Sequence, residues 1–105
     1  MQVLDQAPAH WFLLEEDGAL YLDAACDHGA FGYSVLIALD AGETATYHRE
    51  GRPYLGRLAT DVHMSAPAAA GSGSTYRVRD LTKVHGARVA AAIAAWRQAG
   101  GAPAP

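Results

Sequence analysis

The chain has 105 residues, half of them hydrophobic and 18% charged, with a net charge of −3, a balance that suits one globular domain over residues 1–105 and excludes a disordered chain. No apolar run approaches the roughly 18 residues that would span a bilayer, and residues 1–8 carry Asp5 and no basic start, so neither a membrane anchor nor a secretory signal is expected. Cys26 is the only cysteine, which excludes an intramolecular disulfide and points to a reducing, cytoplasmic setting.

Residues 1–9 read as a loose lead-in. Two apolar runs follow, 11–14 and 19–26, separated by an acidic stretch that ends in Asp17-Gly18. That dipeptide is a strong hairpin signal, because Gly accepts the positive φ that tight hairpin turns require. Asp27-His28-Gly29 offers a second turn, and residues 31–39 form a third strand rich in β-branched and aromatic side chains. The three strands make an antiparallel meander.

Asp40 and Glu43 have the spacing of a capping box, each side chain able to satisfy the other's backbone amide. The helix they open is expected to run toward His63, with Leu55, Leu58, Ala59 and Val62 on one face. Gly51 and Pro53 interrupt it, so the spacing predicts a kink or two consecutive helices there. Residues 65–74 are small and uncharged and read as a flexible loop. Tyr76 and Val78 alternate with Arg77 and Arg79, the pattern of a short edge strand. Thr82 is placed to cap a last helix whose stripe is Val89, Ile93 and Trp96, with Ala92 beside it, and Gly100-Gly101 stops it. The fold class is therefore α+β, a three- to four-stranded antiparallel sheet built on an N-terminal meander, with a long kinked helix and a C-terminal helix.

The strands do not alternate as strands with one wet face would. In the third, Tyr33, Val35, Ile37 and Leu39 share one side while Ser34, Leu36 and Ala38 share the other. The long helix can cover one face. The last helix is rich in alanine and is expected to leave part of the second face open to another copy of the chain. A homodimer follows, with Trp11 and Tyr21 as the interface anchors.

Charge is divided along the chain. Residues 1–48 hold eight acids and no Lys or Arg, whereas residues 49–105 hold all eight basic residues against three acids. Such a split suits mutual attraction between the halves. It also suits a nucleic-acid or anionic-ligand surface built from Arg49, Arg52, Arg57, Arg77 and Arg79.

Chemistry-bearing motifs are sparse. Cys26 and His28 are two residues apart, with Asp23 and Asp27 near them, but a structural zinc needs four ligands and no second pair has a usable spacing. Cys26 is read as a small buried hydrophobe. His10, His48, His63 and His85 are scattered, and Glu15, Glu16 and Asp17 sit at a hairpin tip rather than in a cleft. The glycines at 29, 32, 71 and 73 match no phosphate-binding loop. No catalytic residue, metal or cofactor is assigned. The sequence favours a non-enzymatic protein-interaction module that forms a homodimer, with nucleic-acid or anionic-ligand binding as the alternative.

Overall fold

Four consecutive strands pair in chain order into one antiparallel sheet, β1 (Gln2–Ala7), β2 (Trp11–Glu16), β3 (Ala19–His28) and β4 (Phe31–Ala38). Four helices follow, α1 (Ala41–Glu50), α2 (Arg52–Met64), α3 (Thr75–Arg79) and α4 (Thr82–Gln98). The structure, a computed structural model, describes residues 1–28, 31–67, 69 and 71–101, and at Asp27, His28 and Phe31 only the backbone. The α+β class and the N-terminal meander are as the sequence implies. Among the described residues no helix is long and apolar enough to cross a membrane.

The Asp17-Gly18 turn forms as its composition requires, with φ of 53° and 82° at its two residues, and it sets the register Glu16↔Ala19. Residues 1–9, read above as a lead-in, instead contain β1, joined to β2 by a tight turn in which the His10 amide donates to the Ala7 carbonyl at 3.0 Å. Polar Gln2, Asp5 and Gln6 hid the strand, and they are tolerated because β1 is an edge.

Each sheet face has its own helix. On one side Trp11, Leu13, Leu22, Ala24, Cys26, Val35 and Ile37 pack beneath Leu55, Leu58, Ala59 and Val62 of α2. These four follow the i, i+3, i+4, i+7 spacing of one helix face. On the other side Val3, Leu14 and Leu36 pack beneath Val89 and Ala92 of α4, with Phe12, Tyr21, Ile93 and Trp96 at the margin. Leu14 is 0% and Leu36 1% exposed, so α4 seals the centre of the face that was expected to stay open. Its alanines bring the helix close, and the large side chains come from the strands. Phe12 meets Trp96 edge-on at 5.6 Å and Tyr21 meets His85 at 5.7 Å.

The long helix is two helices. The Asp40–Glu43 capping box is present, with the Glu43 amide donating to Asp40 Oδ1 at 2.7 Å and the Asp40 amide to Glu43 Oε1 at 2.9 Å. Helix α1 ends at Gly51, whose φ of 76° and ψ of −153° lie in a region that only glycine occupies without strain. Pro53 then stands in the first turn of α2, where its missing amide costs no hydrogen bond.

Residues 75–79 are helical rather than an edge strand. Ser74 caps the turn, its hydroxyl accepting from the Tyr76 amide at 3.2 Å, and helical spacing places the Arg79 guanidinium 5.7 Å from the Tyr76 ring. The cap and this ring contact outweigh the alternating pattern. Thr82 does not cap α4 as expected; the capping acceptor is Asp80, which takes hydrogen bonds from the Thr82 amide at 3.0 Å and the Thr82 hydroxyl at 2.5 Å. At the loop expected to be flexible, Ser65 and Ser74 hydroxyls meet at 2.6 Å and the Ser72 hydroxyl donates to the Ser65 carbonyl, tying its two ends together.

Candidate functional site

The site lies where the outer edge of β4 meets α4, and backbone arithmetic defines it. In an antiparallel edge strand, alternate residues aim their N–H and C=O away from the sheet. In β4 the even-numbered residues do so, because Leu39 donates inward to Leu20 while Leu36 bonds outward. The segment between α3 and α4 covers part of this row. Arg79 donates to the Ala38 carbonyl at 2.9 Å, Leu81 donates to the Leu36 carbonyl at 2.7 Å, and the Leu36 amide donates to Asp80 Oδ1 at 3.1 Å. This segment runs antiparallel to β4 and then turns away into α4 at Thr82. Among the described residues, nothing covers the outward backbone groups of Ser34 and Gly32.

Beside this uncovered row is a cleft of about 210 Å³ between the sheet and α4. Asp23 and Ser34 line it from the strands, and Thr82, Gly86, Val89 and Ala90 from the helix. Register places Asp23 opposite Leu36 and Ala25 opposite Ser34, so Asp23 and Ser34 are diagonal neighbours on the α4 side of the sheet. Gly86 and Ala90 are too small to fill the space above them. The cleft is the result.

Burial first and the nearby Asp80 carboxylate second, partly offset by a hydrogen bond from Ser34, together push the Asp23 carboxyl up to about 6. No Lys or Arg forms an ion pair with Asp23 or Asp80 among the described residues. A half-buried acid without a counter-ion costs stability at neutral pH, and such residues concentrate at functional sites.

The residues singled out from sequence are placed elsewhere. Trp11 is 3% exposed, buried under α2 with the Arg52 guanidinium 5.4 Å from its ring, whereas half-buried Tyr21 faces α4. They lie on opposite faces of the sheet, so they share no single surface.

The five arginines also divide. Arg49 and Arg57 both pair with Glu50, and Arg52 pairs with Asp5 at 2.8 Å beside β1. Arg79 holds both oxygens of Glu43 beside β4, at the other edge of the sheet. Arg77 lies exposed on α3. Together with Arg88–Glu16 at 2.7 Å, Arg52–Asp5 and Arg79–Glu43 join the basic half of the chain to the acidic half.

Cys26 is 1% exposed beneath α2, its thiol 3.8 Å from the Ala24 carbonyl and pushed up by burial. The side chains of Asp27 and His28 lie outside the described residues. His10 lies 3.4 Å from the Thr60 hydroxyl, and His85 is 2.7 Å from Arg88. Among the described residues no group of three or more His, Cys, Asp or Glu side chains is arranged to hold a metal ion.

Asp23 was noted in sequence only as a neighbour of Cys26. Its position held a stronger signal, since it is the one charge inside an apolar run, between Leu22 and Ala24. Ser34 interrupts the next strand in the same way. Comparison with known proteins adds no relative: no protein-family model, curated protein or solved structure matches the chain.

Proposed function

We propose that the protein is a non-enzymatic interaction module that accepts an extended segment of a partner protein along the free part of the β4 edge. The carrying observation is the outward row of β4, satisfied at Ala38 and Leu36 by the chain's own residues 79–81 and, among the described residues, left uncovered at Ser34 and Gly32. An unpaired edge of this kind is a template for an added strand, whose main-chain hydrogen bonds supply affinity while side-chain pockets supply selectivity. The lone buried thiol accords with a cytoplasmic setting for such a module.

Because α4 covers Leu14 and Leu36, no second copy is needed over the centre of that face, and a homodimer of this module would use the β4 edge, one copy supplying the added segment to the other. The anionic-ligand alternative has less behind it, because Arg52, Arg57 and Arg79 are engaged by Asp5, Glu50 and Glu43 at separate places.

Selection from a displayed random-peptide library tests the proposal. The expected result is enriched extended peptides that bind the protein and lose binding to the Ser34→Pro variant, whose backbone has no N–H to donate, while its melting temperature stays near that of the parent. Enriched peptides indifferent to Ser34→Pro, or a library that yields none, would contradict it.

A further inference from the structure

We infer that the added segment presents a basic residue, Lys or Arg, to the cleft between α4 and the sheet, an inference that rests on the edge-docking reading above. The geometry follows from strand alternation. A residue of an added strand directly opposite Ser34 aims its side chain to the same side of the sheet as Ser34, the α4 side. That is the side on which Ser34 and Asp23 line the cleft. From the added strand to β3 is two strand spacings, about 10 Å, so only a long side chain reaches from its own backbone toward Asp23.

Four features of the cleft select what that side chain carries. Gly86 and Ala90 put at most a methyl group into their stretch of the α4 wall, which Val89 and Ile93 complete. The cleft is acidic, with Asp23 in its lining and Asp80, held at the β4 edge by the Leu36 amide, near enough to act on the Asp23 charge. No ion pair to either carboxylate is formed within the chain, among the described residues, although three other acids of the N-terminal half, Asp5, Glu16 and Glu43, are each matched by an arginine. Val89 and Leu36 provide apolar walls against which an aliphatic stem packs while its charged head meets the carboxylate. A glutamate or aspartate at this position would meet two like charges, and a short side chain would leave the cleft empty.

The test uses blocked, fluorescein-labelled heptapeptides of alternating Thr and Val with a central Lys, Arg, Gln or Glu, titrated by anisotropy into the parent protein and the Asp23→Asn variant. The Lys and Arg peptides are expected to bind the parent about tenfold or more tighter than the Gln peptide, the difference between a charge-assisted and a neutral hydrogen bond. The Glu peptide is expected to bind weakest, and the ranking of Lys over Gln to vanish in Asp23→Asn. A second pair of Lys peptides, N-methylated either on the residues that bond β4 or on those that face away, reports on the edge without altering the protein. Equal affinity for Lys and Gln in the parent, or a Lys preference that survives Asp23→Asn, would overturn the inference and leave the edge reading standing. Equal tolerance of both N-methylated peptides, or no binding by any peptide, would overturn the edge reading itself and the inference with it.

Discussion

The carboxylate of Asp80 takes the place of a strand carbonyl, accepting from the Leu36 amide at 3.1 Å as a neighbouring strand would. The same oxygen accepts from the Thr82 amide at 3.0 Å, so one atom both ends the covered part of the β4 edge and starts α4. Beyond it the chain leaves the sheet, and Ser34 and Gly32 face outward.

Removing that carboxylate should loosen both elements. Asp80→Ala is expected to cost about 1–2 kcal/mol in chemical denaturation, a capping loss combined with an unpaired amide at Leu36. Asp80→Asn keeps the acceptor oxygen and should cost less. It should also lower the Asp23 carboxyl part of the way, because the larger effect, burial, stays while the Asp80 charge that adds to it is removed.

Asp23 should make stability depend on pH in a direction unusual for a carboxylate. Its folded-state value is raised from 3.8 to about 6, so the folded chain holds the proton more tightly than the unfolded chain does. The contribution is complete below about pH 4 and is lost as pH rises through about 6, a span worth on the order of 2–3 kcal/mol at 1.36 kcal/mol per unit. Asp23→Asn should flatten this dependence and raise the melting temperature at pH 7. Urea titrations of both proteins between pH 4 and pH 8 measure it.

Trp11 separates a core role from an interface role. At 3% exposure beneath α2, it should cost about 3–5 kcal/mol when replaced by alanine, the range for a buried aromatic. The mass from sedimentation of the folded fraction should not change. A Trp11→Ala protein of unchanged stability would contradict the placement.

Arg79 should resist conservative replacement. Its guanidinium bonds both oxygens of Glu43 and the Ala38 carbonyl, a planar fork that an ammonium cannot reproduce. Both partners are mostly shielded, at 29% and 13% side-chain exposure. Arg79→Lys should therefore lower stability by about 1–2 kcal/mol. Disrupting the more exposed Arg52–Asp5 pair should cost no more than about 1 kcal/mol and matter less at high salt.

Local chemistry made much of the fold legible. Asp17-Gly18 fixes the β2–β3 turn, Asp40 and Glu43 start α1, and the spacing of Leu55, Leu58, Ala59 and Val62 marks the face of α2. What was not legible depended on contacts distant in sequence. Strand β1 is polar because it is an edge, and residues 75–79 alternate like a strand yet are helical because Ser74 caps them and Tyr76 packs in the α2-side core. The covering of the second sheet face could not be read from alanine-rich α4, because its closeness to Leu14 and Leu36 compensates for its small side chains. The cleft was hidden for the same reason. Its components, Asp23, Ser34, Gly86 and Ala90, lie far apart along the chain and meet only through the β3–β4 register and the path of α4.

Amide hydrogen exchange, resolved by residue, tests the free β4 edge most directly. In the unbound protein the Leu36 amide should be protected, while the Ser34 amide, uncovered among the described residues, should exchange near the rate of an open chain. With a saturating Lys heptapeptide the Ser34 amide should become protected by about tenfold or more, as a strand hydrogen bond forms on it. A Ser34 amide that is already protected without peptide, or that stays unprotected when peptide is bound, would contradict the account.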